Sequence, residues 1–264
     1  MITLCIRYIH RCSKVCSLGL FMLMGCLFSM PIFSQEIVKD VISSNTTVYS
    51  KEWAVAFLFN TNGLGIGSRF TTIKNTKVAF HRELSFTEFT HPQQLSTSNP
   101  YYPDAKSYYF GKVNSFYALK AGWGIARTLT QKPLLNGVKL SINSSIGTSI
   151  GFEKPTYLQI IQPDANYQAF VLTTERYSAE KHFAENIYGG ASWFKGIDET
   201  QANVGIYTNV AINMEFGLKN RGLYAIETGF NLDYYPSGIT LMAFKGKQYS
   251  FVACNLRLWM GRRR

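Results

Sequence analysis

The sequence predicts an all-β protein: an antiparallel up-and-down transmembrane β-barrel of about eight strands, with ten as the alternative, carrying long extracellular loops. Three observations carry that expectation. After residue 51 apolar residues alternate with small or polar ones at a period of two over most of the chain, the mark of strands with two unlike faces. Only 16% of the 264 residues are charged while 15% are aromatic, against about 25% charged in an ordinary soluble domain. Past about residue 40 no uncharged run reaches the roughly 20 residues that a membrane-spanning helix needs. Disorder is excluded, because it requires few aromatics and high charge.

The N-terminus reads as an address. Met1 to Ser34 holds Arg7, Arg11 and Lys14 and no acid, and an uncharged, mostly apolar stretch runs from Val15 to Gln35. This is the layout of a secretory signal peptide over 1–34, with Ser34 at the cut. Two rivals are a transmembrane anchor and a lipoprotein signal around Leu23-Met24-Gly25-Cys26. Against them, Pro31 would interrupt a spanning helix, and the residues after Cys26 stay apolar where a lipid-anchored protein continues into a polar tether. Cleavage would remove four of the five cysteines and leave Cys254 alone, so the fold must stand without an internal disulfide. With Arg7, Arg11 and Lys14 gone, 24 basic residues face 16 acidic ones, a net charge of +8 that includes the terminal Arg262, Arg263 and Arg264. For an exported chain without a basic, aromatic RNA-binding signature, that excess gives no case for nucleic acid.

Residues 35–51 read as a short periplasmic leader, and the barrel is expected over 52–264. Trp53, Val55, Phe57 and Phe59 alternate with Ala54, Ala56 and Leu58; Asn62-Gly63 reads as a hairpin turn. Leu64, Ile66 and Phe70 then oppose Gly65, Gly67, Arg69 and Thr71. After a turn near Asn75, Val78, Phe80, Leu84 and Phe86 oppose Ala79, His81, Glu83 and Ser85. The stretch 91–105 has loop composition. A fourth strand sets Val113, Tyr117, Leu119, Trp123, Ile125 and Leu129 against Lys112, Asn114, Lys120 and Gly122, either as one tall strand or as two with a break near Asn114. A fifth sets Val138, Leu140, Ile142, Ile146 and Ile150 against Lys139, Ser141, Asn143, Ser145 and Ser149. Runs 206–218, 224–234 and 251–260 complete eight.

Between them, 152–202 is a large insertion with strand-like YLQII and AFVLTT pieces and a partly helical HFAENIYGGASWF. With the N-terminus on the inner side, parity puts the turn at 62–63, the 91–105 loop, the insertion and the 236–247 loop outside, and the turns near Asn75, Pro133 and Asn220 inside. Long outer and short inner connections are the habit of outer-membrane barrels.

The small faces collect Arg69, His81, Glu83, Lys112, Lys120, Lys139, Glu215, Glu227 and Asp233, with Arg257 as a further member, spaced by Gly65, Gly67, Gly122, Gly147, Gly217 and Gly229. Inside an eight-stranded barrel, whose interior is just wide enough for side chains to fill, such charges must pair, because an unpaired one is costly to desolvate. The other face offers Trp53, Phe57, Tyr117, Trp123, Phe216, Tyr224 and Phe230, a lipid-facing band with aromatic girdles. Alternation alone also fits a secreted lipocalin-like carrier with the apolar face turned inward. The scarcity of charge argues against that arrangement.

Several segments add a resemblance. GKVNSFYALKAGWG (111–124), GFEKPTYLQII (151–161), ASWFKGIDE (191–199), VGIYTNVAINMEFG (204–217) and the ending after LMAFKGKQYSF resemble an uncharacterised group of Bacteroidota outer-membrane β-barrel proteins. The resemblance covers roughly 105–264, implies an outer-membrane barrel, and implies no activity. The arginine-terminated end departs from the aromatic last residue that many barrels carry.

No GxSxG, HExxH, P-loop or paired CxxC motif occurs, so no enzyme, cofactor or metal is expected. Glu180, His182 and Glu185 could form a metal site or the acid and base of a lipid hydrolase, with Ser178 and Ser192 near by, but such spacing is common and a catalytic His also needs a positioned nucleophile. His81 with Glu83 reads as a lumen ion pair and Cys254 as a small lipid-facing or packed residue. His182, Phe183, Tyr188, Trp193 and Phe194 are the candidate loop interaction surface. The expected partners are outer-membrane lipid and an outer-membrane protein contacted through the outer loops. The function classes left standing are a structural or interaction barrel and a narrow passive pore, the latter widened and favouring anions through its basic excess if the insertion adds a hairpin to make ten strands.

Overall fold

The computed structural model describes residues 50–75, 77–102, 104–130, 138–163, 170–216 and 222–264. The signal segment, most of the leader, Gly217 and the turns near Pro133 and Asn220 lie outside the described residues. Among the described residues thirteen strands follow in chain order: β1 (Lys51–Asn60), β2 (Gly63–Ile73), β3 (Val78–Phe89), β4 (Ser96–Thr97), β5 (Tyr108–Tyr109), β6 (Asn114–Thr130), β7 (Lys139–Pro155), β8 (Tyr157–Pro163), β9 (Phe170–Arg176), β10 (Ile187–Gly190), β11 (Gln201–Phe216), β12 (Gly222–Ile239) and β13 (Gln248–Arg263).

Eight of these close a barrel in the order β1-β2-β3-β6-β7-β11-β12-β13, every neighbour antiparallel. Closure comes from β1 on β13, in unbroken register from Glu52 opposite Arg263 to Asn60 opposite Asn255. A closed barrel leaves no edge strand, which is what an apolar surroundings demands of backbone hydrogen bonds. The strand-like pieces of the insertion do not widen it. They form a separate sheet, order β10-β8-β9, so the ten-stranded alternative is overturned. The first barrel strand begins one residue before the expected start of the barrel, since Lys51 already pairs with Thr72.

The two faces separate cleanly. Trp123, Ile146 and Phe230 point outward with 68%, 65% and 64% exposure, and the same row includes Phe57, Ile66, Phe70, Val210, Tyr224 and Val252. Arg69, Glu83, Lys120, Asn143, Asn209, Glu227 and Asp233 point inward and are buried. This is the inverse of a lipocalin, whose apolar residues line the cavity, so the carrier alternative is overturned as well. Cys254 is exposed on the apolar side, between inward-facing Ala253 and Asn255.

Local chemistry explains two departures from the sequence reading, and one alternative is settled. The first hairpin turns on Thr61-Asn62 rather than Asn62-Gly63, because Gly63 already pairs with Asn60. The segment 105–130 divides just before Asn114: Tyr108–Tyr109 pairs with β4, and the barrel strand then runs from Asn114 to Thr130. In the stretch 182–194 no helix forms: His182–Asn186 closes in turns, with Asn186 N–H donating to Phe183 O, and Ile187–Gly190 pairs with β8. Two glycines and available sheet pairing outweigh a weak helix preference.

Candidate functional site: a filled lumen beneath a knitted loop cap

The lumen is filled in layers. At the end bearing the long loops, Phe116, Tyr235, Ile239, Phe89 and Phe251 form an apolar plug, with Phe116 edge-on to Tyr235 at 5.1 Å and stacked on Phe251 at 5.7 Å. Next, Lys120 Nζ sits 2.6 Å from Asp233 Oδ1 and 4.9 Å from the Phe89 ring. Then comes a quartet. Arg69 donates to Glu227 through Nη1 and Nη2 at 2.7 and 3.0 Å and to Glu83 at 3.2 Å. Arg257 donates to Glu83 at 2.6 Å and to Asn231 Oδ1 at 2.9 Å, while Asn143 Nδ2 donates to Glu227 at 2.7 Å. The Arg69 guanidinium lies 3.9 Å from the centre of the Trp259 ring.

Arg69, Arg257 and Lys120 therefore face Glu83, Glu227 and Asp233, three charges against three. Breaking one such buried pair costs about 3–5 kcal/mol, because it strands the partner charge. Among the described residues these buried lumen charges show no basic excess, and the ten-stranded lumen for which an anion preference was expected does not form. The glycines are the steric counterpart of this filling. A Cβ on Gly124 would collide with the His81 ring, and one on Gly122 would sit 2.6 Å from Tyr207 Oη.

Towards the other end the lumen opens into a cavity of about 70 Å³ lined in part by His81, Asn143 and Trp259. His81 Nε2 stands 4.0 Å from Glu83. The mouth is framed by Glu215 with Arg263 at 2.5 Å and Lys139 at 3.8 Å, and by Glu52 with Arg263 at 2.6 Å.

Of the residues read as lumen charge, the structure thus brings Arg69, Glu83 and Glu227 into one cluster beside His81, pairs Lys120 with Asp233, and pairs Lys139 with Glu215. Lys112 goes elsewhere. Gly111 adopts a φ of +80° and Lys112 bridges to Met242 before β6 begins, so the alternation that grouped Lys112 with Lys120 does not reach it. It lies against the outer wall of the barrel at the loop end, 5.0 Å from the Tyr109 ring. Asn143, Asn231 and Trp259 complete the network without having been singled out; each stands on the small face of its strand, which was the available signal.

Above the plug the three long loops are tied together. Tyr108, Leu158, Ile160, Tyr177 and Ile187 form their core. Val113 N–H donates to Leu241 O, Ala243 N–H to Gly111 O, Gly190 N–H to Lys106 O, and Asn99 Nδ2 to Ile187 O at 2.6 Å. Glu153 binds them to the barrel, accepting from Asn114 Nδ2 at 2.6 Å and Thr240 N–H at 3.1 Å.

The candidate interaction surface divides. Phe183, Trp193 and Phe194 are exposed, joined by Tyr101 and Phe170, and Tyr188 is half-buried against Tyr102 at 5.0 Å. His182 is the correction, being buried within the loop. Its Nδ1 accepts from Ser178 N–H at 3.1 Å, which leaves the proton on Nε2 to donate to Glu175 Oε2 at 3.2 Å. That hydrogen bond holds the Glu175 carboxyl below the ordinary range. Both ring nitrogens are thereby committed to loop structure, and the partner is Glu175 rather than Glu180 or Glu185. Among the described residues no group of three His, Cys, Asp or Glu is placed to hold a metal. Ser178 meets His182 through its backbone N–H, not as a nucleophile.

No protein-family model and no curated protein matches the chain. Among solved structures it is similar to Ail, the attachment invasion locus protein of Yersinia pestis, at 8% identity and a TM-score of 0.38, covering 82% of this chain and all of that one. It is also similar to Neisserial surface protein A, at 9% and 0.35 over 81% and 94% of the two chains. A third is the outer membrane protein OprG from Pseudomonas aeruginosa, at 10% and 0.29 over 81% and 94%. The eight-stranded barrel rests on its own hydrogen-bonded register.

Proposed function

We propose that this chain is an exported outer-membrane barrel whose lumen is a structural filling and whose loop cap is the working surface. The cap either displays an interaction surface to the outside or serves as the docking face of an accessory subunit in a larger outer-membrane assembly. The observation that carries the reading is the contrast between a charge-balanced, plugged lumen and three loops sharing one apolar core. A passive pore needs neither plug nor cap. Exposed aromatics such as Trp193, Phe194 and Tyr101 are of the type enriched where proteins bind partners.

The experiment is twofold. Purified protein in planar bilayers should be electrically silent, and steady conductance would return the reading to a pore. Replacing 156–200 with a short turn should leave a heat-modifiable barrel that no longer co-purifies with its outer-membrane partner. Unchanged co-purification and surface properties would overturn the interaction reading.

A further inference from the structure

Under the overhang of the β8–β10 sheet the outer barrel wall carries a cleft of about 480 Å³. Its wall is the outward face of the loop end: Glu88 on β3, Tyr117 on β6 and Lys154 on β7, with Tyr109, Lys112 and Trp193 supplied by the loops. Two of its lysines are unusual. Lys112 and Lys154 are each only 7% exposed, yet neither has a carboxylate within ion-pair distance among the described residues. Lys154 Nζ donates to two carbonyls, Trp193 O at 2.5 Å and Lys195 O at 3.4 Å, and lies 4.9 Å from the Trp193 ring. Lys112 Nζ makes no described hydrogen bond and lies 5.0 Å from the Tyr109 ring.

A buried ammonium without an anion is an unfavourable arrangement. Burial pushes the Lys112 ammonium down, Glu88 pulls the other way and the neighbouring Lys154 charge adds to the downward push. Among the described residues Glu88 is the single carboxylate lining the cleft, against Lys112, Lys154 and Lys195. The cleft therefore asks for an anion carrying more than one negative charge.

Two further features narrow the anion. Aromatic faces of Tyr109, Tyr117 and Trp193 flank the lysines, with Trp193 Nε1 donating to Tyr117 Oη at 3.0 Å and the two rings 6.2 Å apart. Flat aromatic walls beside polar donors suit the faces of a sugar. One rung further along the wall from the Glu88–Tyr117 pair stand Phe86 and Leu119, 42% and 37% exposed, where the apolar band begins. An occupant of the cleft thus has an acyl-compatible surface directly beside it.

We propose that this cleft binds the phosphorylated sugar headgroup of an outer-leaflet glycolipid, with Lys112 as the free phosphate ligand and Lys154 beside it. The proposal rests on the reading of the barrel as an outer-membrane protein, and it assigns the lipid partner of the loop cap.

The test measures binding in detergent micelles with three probes: lipid A carrying its phosphates, the same lipid with its phosphates removed, and inorganic phosphate. Lys112→Gln is the informative variant, because Lys112 has no described hydrogen bond to lose, and Lys112→Arg keeps the charge. Retention of the heat-modifiable band verifies each fold. Wild-type protein should bind the phosphorylated lipid at least about tenfold tighter than the dephosphorylated one, as expected for one charge-assisted contact. K112Q should erase most of that difference and K112R should restore it. Equal binding of the two lipids, or a K112Q variant indistinguishable from wild type, would overturn the proposal. Inorganic phosphate bound as tightly as the lipid overturns the lipid source. These measurements read the cleft directly, whereas absence of the chain from the outer-membrane fraction would count against the membrane reading alone.

Discussion

The lumen and the loop cap are built on opposite principles within one chain. In the lumen charged groups are buried and paired across strands far apart in sequence, as when Arg69 reaches Glu227 158 residues away. The cap is instead a small apolar core, Tyr108 with Leu158, Ile160, Tyr177 and Ile187, stitched by backbone hydrogen bonds between loops. The difference teaches where each region is vulnerable. The lumen depends on charge balance, so a single neutralisation should be felt through the barrel. The cap depends on contact area, so its failure should stay local.

The largest effect expected is in the lumen. Glu227→Ala removes an acceptor of Arg69 and Asn143 and leaves two buried guanidiniums, Arg69 and Arg257, to share Glu83, and should destabilise the barrel by about 3–5 kcal/mol. Urea unfolding in micelles checks it, and an effect below about 1 kcal/mol would mean that water solvates the lumen. Next comes Ile187→Ala, a fully buried side chain in the cap core, with an expected loss of about 2–5 kcal/mol confined to the loops. Protease should then cut within 156–200 while the boiling-dependent gel shift persists. Simultaneous loss of that shift would break the distinction between the regions.

A smaller effect follows from Glu175. Its carboxyl is held down by the His182 hydrogen bond, so the stabilisation is fully present above the ordinary carboxylate pKa and is lost as pH falls through the lowered one. Loop proteolysis by an acid-active protease should rise over that interval in wild type and be flat in Glu175→Gln. Smallest of all is Cys254→Ser on the outer face, which should shift stability by no more than about 0.5 kcal/mol.

The barrel was legible because its period is two and its faces differ in kind. Trp53, Val55, Phe57 and Phe59 against Ala54, Ala56 and Leu58 leave little choice once a strand is assumed. Which face points outward followed from the shortage of charge, not from alternation, and burial of Glu83 and Glu227 bears the inference out. The cap was much less legible. His182 stood nearest in sequence to Glu180 and Glu185, yet sheet pairing of β8 with β9 carries Glu175 to it instead. Lys112 was assigned to the lumen by extending an alternation past its true start, and nothing local marks the positive φ at Gly111 as the point where the chain turns away. Both errors lie where tertiary contacts between loops, which have no period, decide the outcome.

The most direct test of the central claim is electrophoresis of the outer-membrane fraction of the native cell with and without boiling. The account predicts that the chain is found in that fraction and migrates faster unboiled than boiled, as a closed barrel that stays folded in detergent. A single boiling-independent band in the soluble fraction would contradict it.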